Sequence, residues 1–115
     1  MNANNNVRPW GKFEILMEES DFKIKKITVN SGKRLSYQFH NKRSESWTIV
    51  KGTGIVTVND TENKVRYGDS IKIPVKCKHR IFNNSKHDLV FIEVQTGEYF
   101  GEDDIIRIED DYNRI

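Results

Sequence analysis

Apolar positions along this chain recur with a period of two, in short runs separated by turn-forming residues, and that pattern predicts strands throughout. Phe22 to Val29 reads FKIKKITV, an alternation in which Ile24 and Ile27 fall out of phase, so a bulge or a change of exposed face is expected. Leu35 to His40 and Ser46 to Val50 follow, joined by the polar turn Asn41-Lys42-Arg43-Ser44. Gly54 to Val58 is predicted to meet Lys64 to Tyr67 across Asn59-Asp60-Thr61. Ser70 to Ile73 starts after the turn Tyr67-Gly68-Asp69 and is stopped by Pro74. His79 to Phe82 precedes the loop Asn83 to Lys86, and Leu89 to Val94 is the most apolar strand. No segment sustains a 3.6-residue period, so the expected fold is all-β, a sandwich or barrel of short strands.

A chain of 115 residues has room for one modest core, and a single domain over 8–115 is expected. The start, MNANNNV, lacks the apolar centre of a signal peptide and reads as a disordered lead over 1–7. No apolar run reaches membrane-spanning length, so no membrane partner is expected. Cys77 is the one cysteine, which excludes an internal disulfide and makes cytoplasmic residence the default.

Net charge is only +2, but the charges are segregated. Up to Gly101 there are 17 Lys or Arg against 11 Asp or Glu; from Glu102 onward there are 2 against 6. The basic residues are scattered among strands and form no nucleic-acid-binding motif, so a small phosphorylated ligand is expected and nucleic acid is not.

Between Gly32 and Gly52 lies the stretch richest in chemistry. Gln38 and His40 are two apart, so on a strand they share a face, and Glu45 can join them from the next strand after a tight turn. The spacing runs Gly32, five residues, Gln38, one, His40, four, Glu45, six, Gly52. It resembles the first motif of the cupin superfamily, with Gln in place of the usual first His. Gly68, Pro74, His79 and Asn83 are similar to the partner motif. The resemblance implies a cupin-type antiparallel β-barrel, the double-stranded β-helix or jelly roll, with Gln38, His40, Glu45 and His79 as ligands of one metal ion.

The donor types agree with that. Two imidazoles, a carboxylate and an amide oxygen suit a borderline divalent ion, Zn2+ first and Mn2+, Co2+, Fe2+ or Ni2+ as alternatives, with positions left open. Cys77 makes a C-x-H pair with His79, but one Cys without partners is a poor zinc signature.

Arg8-Pro9-Trp10-Gly11, Leu35-Ser36 with Gln38, and the tail from Glu93 to Arg114 resemble the type II phosphomannose isomerases, usually the last domain of a bifunctional mannose-1-phosphate guanylyltransferase. That resemblance implies metal-dependent interconversion of mannose 6-phosphate and fructose 6-phosphate. The chain departs from it at Asn41 and Ser46, where His is usual, and at Lys76, where Gly is usual.

The chemistry needs a phosphate anchor, and Arg107 is the first candidate, with an ion pair to Asp103 and Asp104 as the alternative. Lys42, Arg43 and Lys76 are further candidates near the motif loops. Glu93 shares strand parity with Gln95 and can carry a proton if burial raises its pKa; His87 is the other titratable candidate. Trp47 has the parity of Glu45 and is a candidate sugar contact, as are Trp10, Tyr99 and Phe100. Two other readings stand beside the isomerase: a cupin that binds a sugar phosphate without turnover, and a cupin metalloenzyme of other chemistry, such as an Fe(II) dioxygenase using His40, His79 and Glu45. A homodimer is the default assembly for a β-domain with exposed edges.

Overall fold

The computed structural model describes residues 6–114. Of the lead expected at 1–7, residues 1–5 lie outside the described ones, and Val7 already belongs to a strand. Eleven strands follow in order: β1 (Val7–Arg8), β2 (Gly11–Glu18), β3 (Phe22–Val29), β4 (Tyr37–His40), β5 (Arg43–Lys51), β6 (Thr53–Val58), β7 (Thr61–Arg66), β8 (Ser70–Ile73), β9 (His79–Phe82), β10 (Leu89–Gly97) and β11 (Ile105–Glu109). They form two antiparallel sheets, a six-stranded one in the order β1-β2-β3-β10-β5-β8 and a five-stranded one in the order β11-β4-β9-β6-β7. The inner faces of both sheets supply one core, so the all-β expectation holds in its double-stranded β-helix form: two packed sheets rather than one continuously hydrogen-bonded barrel.

Three strands escape the sequence pattern. In β2 the consecutive Ile15, Leu16 and Met17 are all exposed, and the pairing with β3 shifts between Ile15 and Met17, so a bulge scrambles the alternation. The disturbance expected near Ile24 and Ile27 thus sits on the partner strand. β11 lies in the acidic tail, and β1 is only two residues long. The turn before Glu45 is also shorter than expected, because β5 begins at Arg43.

The inward residues of β5 are Arg43, Glu45, Trp47 and Ile49, and those of β10 are Leu89, Phe91, Glu93 and Gln95. Along each strand the inner face therefore changes from apolar to polar. Trp47 packs on Phe91 with ring centroids 4.6 Å apart, closing the apolar part, and each such side chain contributes about 1.5–3 kcal/mol by leaving water. Beyond it, Glu93 is paired across the sheet with Lys25, and Gln95 with Lys23 and Glu45. β3 changes in the same sense, with Lys23 and Lys25 inward at one end and Ile27 and Val29 at the other. This explains FKIKKITV: the inner face of the strand is cationic where the sheet borders the polar end of the core.

The motif glycine Gly52 turns β5 into β6 with φ 88°, and a Cβ there would lie 2.6 Å from the Asp88 carbonyl oxygen. Lys76 also has a left-handed φ of 69°, which accounts for the glycine usual at that position in the family it resembles. Among the described residues no helix is long and apolar enough to cross a membrane.

Candidate metal centre and its cavity

Strand geometry brings three of the four expected ligands together. His40 ends β4, Glu45 is the third residue of β5, and His79 opens β9; one donor atom from each lies within 4.8 Å of the others, and all three side chains are buried. Glu45 Oε2 is 3.1 Å from His40 Nε2, and Glu45 Oε1 is 3.9 Å from His79 Nε2. Gln38 pairs with His79 across β4 and β9 and lines the adjoining cavity, but its Oε1 accepts a hydrogen bond from the Ser36 hydroxyl at 3.1 Å.

The imidazole orientations are fixed from behind. His79 Nδ1 is 2.9 Å from the Cys77 carbonyl oxygen, and His40 Nδ1 is 3.3 Å from that of Asp104. A carbonyl can only accept, so both Nδ1 atoms carry the proton and both Nε2 lone pairs turn toward Glu45. His79 Nε2 is then a buried acceptor with no partner. His40 Nε2 accepts only a long contact from Arg43 Nη2, at 3.4 Å, and otherwise faces a carboxylate oxygen at about the separation two donors take on one ion with bonds near 2 Å. A cation between them resolves both, so the residues fit a metal ion.

Glu45 is held in place on both oxygens. Arg43 Nε donates to Oε2 at 3.0 Å, and Trp47 Nε1 donates to Oε1 at 2.9 Å. Burial alone would raise its pKa, but its neighbours, the Arg43 guanidinium among them, outweigh it and hold the carboxyl well below the usual range. Burial in turn lowers the His79 pKa, keeping that ring neutral as a ligand must be.

Next to the cluster lies a cavity of about 60 Å3, whose lining includes Gln38, Arg43, Glu45, Glu93, Lys25 and Arg107. Glu93 is buried and faces inward with Gln95, whose amide donates to it. Burial, with the Glu45 charge nearby, pushes its pKa up to about 8. Arg107 stands opposite Gln38 in the β4–β11 pairing. Its Nε is buried without a hydrogen-bond partner, and Asp103 and Asp104 are engaged elsewhere: Asp103 accepts from the Tyr99 hydroxyl, Asp104 from the Asn41 and Lys42 amides. The ion pair considered for Arg107 is therefore absent among the described residues.

Other candidates fall away from the cavity. Trp47 is 1% exposed, packed in the core and edge-on to His79, so it orients Glu45 and offers no face to a sugar. Lys42 is exposed with its ammonium 5.3 Å from the Tyr99 ring centroid, and Lys76 is exposed with its amide donated to the His40 carbonyl. His87 is exposed in its loop, and Asn41 and Ser46 do not line the cavity. Arg43 and Trp10 do line it. Sequence reasoning missed Arg8, Lys25, Glu102 and Arg114 in the lining; the signal available for Lys25 was its place at an out-of-phase position of FKIKKITV.

Fold and site together define a cupin domain with a buried His/Glu centre able to hold a metal ion. The chain belongs to the family described as mannose-6-phosphate isomerase C-terminal, whose sequence model matches residues 2–110. It is 45% identical over 107 residues to the alginate biosynthesis protein AlgA of Pseudomonas aeruginosa, and 41% identical over 107 residues to a mannose-1-phosphate guanylyltransferase of Klebsiella pneumoniae. Each match takes in 93% of this chain but only 22% and 23%, respectively, of those proteins, so the chain spans about a fifth of their length. A solved double-stranded β-helix protein of Klebsiella pneumoniae superposes with a TM-score of 0.77 over 96% of both chains at 17% identity, which shows the shared fold.

These relatives correct one expectation. They are named for guanylyl transfer and alginate synthesis, not for isomerisation, so conversion of mannose 6-phosphate to fructose 6-phosphate is not carried over as the function of this chain. What the relatives support is an enzyme-related domain of sugar metabolism.

Proposed function

We propose that this domain binds one divalent ion, zinc first, through His40, Glu45 and His79, and uses the adjoining cavity to hold the phosphate of a phosphorylated sugar. The buried, partnerless His79 Nε2 beside Glu45 carries the reading, because a lone pair stranded in the interior costs stability unless a cation meets it. Two nitrogens and a carboxylate are the donor set of open zinc sites, and Gln38 is placed to add an amide oxygen by releasing Ser36. A bound ion would polarise a sugar oxygen. The protonated Glu93 carboxyl supplies a hydrogen-bond donor on the same cavity wall, and Arg107 supplies positive charge.

The relatives are named for mannose-1-phosphate guanylyl transfer and alginate biosynthesis, which favours a hexose phosphate over other anions. Residence in the cytoplasm fits the lone Cys77, and the exposed Ile15, Leu16 and Met17 on β2 support a homodimer. The test is metal analysis of freshly purified protein, followed by calorimetry with mannose 6-phosphate, mannose 1-phosphate and mannose. Stoichiometric metal with binding of a phosphate ester and much weaker binding of free mannose is expected. Folded, metal-loaded protein that binds none of the three overturns the reading.

A further inference from the structure

The cavity beside the metal cluster has a charge imbalance that the centre does not use. Five cationic side chains and three carboxylates line it. Two of the cations are matched internally: Arg43 by Glu45, and Arg114 by a two-pronged pair to Asp110 with both contacts at 2.8 Å. Lys25 and Arg107 are different.

The Lys25 side chain is only 6% exposed, and its one carboxylate partner among the described residues, at 3.3 Å, is Glu102. That carboxylate is 49% exposed and comes from the short 3-10 turn Glu102–Asp104 on the surface. The Lys25 ammonium keeps further donors, and its charge lies 4.3 Å from the centroid of the Phe13 ring in the cavity wall. Arg107 contributes the buried Nε that lacks an acceptor. Burial and the Arg114 charge lower the Arg107 pKa, the mark of a guanidinium short of negative charge. Arg8 adds positive charge to the same wall.

We infer that Lys25 and Arg107 form the subsite for the anionic group of the ligand, and that the Glu102 carboxylate stands in for that anion until a ligand displaces it. This rests on the reading that the cavity takes a phosphorylated sugar; it keeps the first-choice anchor Arg107, adds Lys25 on β3, and leaves out the motif-loop residues Lys42 and Lys76. A phosphate offers three acceptor oxygens where Glu102 meets Lys25 with one, so it can meet the ammonium and the stranded Nε together. Glu102 is half-exposed at the surface, so it can swing outward without unpacking the core.

The probe is inorganic phosphate, titrated by calorimetry into full-length protein both metal-loaded and chelator-treated. Lys25→Ala and Arg107→Ala should each weaken binding about tenfold or more, and Lys25→Arg should recover most of the loss. Glu102→Gln should tighten binding several-fold, a gain that a merely structural role for the Lys25–Glu102 pair would not give. Lys42→Ala and Lys76→Gly should leave it unchanged. The inference is overturned if Glu102→Gln weakens phosphate binding, or if Lys42→Ala and Lys76→Gly weaken it while Lys25→Ala does not. Phosphate binding that survives chelation and follows Lys25 and Arg107 supports this subsite even should the metal reading fail. Binding lost entirely on chelation places the anion on the metal and removes the subsite.

Discussion

The indole N–H of Trp47 is donated to Glu45 Oε1 over 2.9 Å, two residues along the same face of one strand. A side chain that its type suggested for a sugar platform thus serves as an orienting partner of a metal-site carboxylate. With Arg43 on the other oxygen, it fixes the carboxylate in the plane that faces both imidazoles. Trp47→Phe keeps the aromatic packing on Phe91 but removes the donor, and is expected to lower metal affinity about tenfold to a hundredfold with little change in fold. Competition with a chromogenic chelator measures it.

Removal of the nitrogen ligands tests the centre directly. The His40→Ala, His79→Ala double variant should purify without stoichiometric metal, while Cys77→Ala should retain it, since Cys77 contributes its main-chain carbonyl and that survives the change. Elemental analysis after gel filtration reads the outcome, and full metal retention by the double variant would refute the ligand assignment.

Glu93 should make stability depend on pH with an unusual sign. Its carboxyl titrates near 4.5 in the unfolded chain and about 8 in the folded one. Between those values the folded state holds the proton and the unfolded state does not, so the contribution of Glu93 to stability is full below about pH 4.5 and falls as pH rises toward 8. Each unit corresponds to about 1.4 kcal/mol, so the loss across the window is on the order of a few kcal/mol. Glu93→Gln accepts the same Gln95 hydrogen bond without the proton and should flatten that slope. Urea melts of chelator-treated protein from pH 5 to 8 would show it, and parallel curves for the two proteins would rule it out.

Lys76 holds a left-handed backbone at φ 69° while its amide reaches the His40 carbonyl at 2.7 Å. The conformation costs a side-chain-bearing residue roughly 1 kcal/mol or more, partly offset by the greater freedom glycine loses on folding. Lys76→Gly is expected to stabilise the protein by roughly 0.5 kcal/mol, read as a higher denaturation midpoint at constant m-value.

The meeting of His40, Glu45 and His79 was legible because a strand's two-residue period and the motif spacing the chain shares with the family it resembles put the three side chains on the facing inner sides of the two sheets. Gln95 and Glu93 followed from the same parity. The β2 strand was not, since its exposed Ile15-Leu16-Met17 run straddles a bulge that alternation cannot anticipate. Nor was β11, because Ile106 and Ile108 face outward and the acids around them read as a solvated tail. Lys25 and Glu102 meet across 77 positions of sequence. Lys25 shares the parity of the buried Ile27 and Val29, so its inward direction was within reach of the local pattern, but its meeting with Glu102 needs the folded chain.

Both imidazoles of the centre are steered by main-chain carbonyls, those of Cys77 and Asp104. Every amino acid brings such an oxygen, so the tautomers are inherited with the path of the chain rather than with any particular side chain behind them. Positions 77 and 104 are thereby open to drift as far as the imidazoles are concerned, and selection can spend their side chains on other tasks, as it has with the Asp104 carboxylate that closes the Asn41–Lys42 turn.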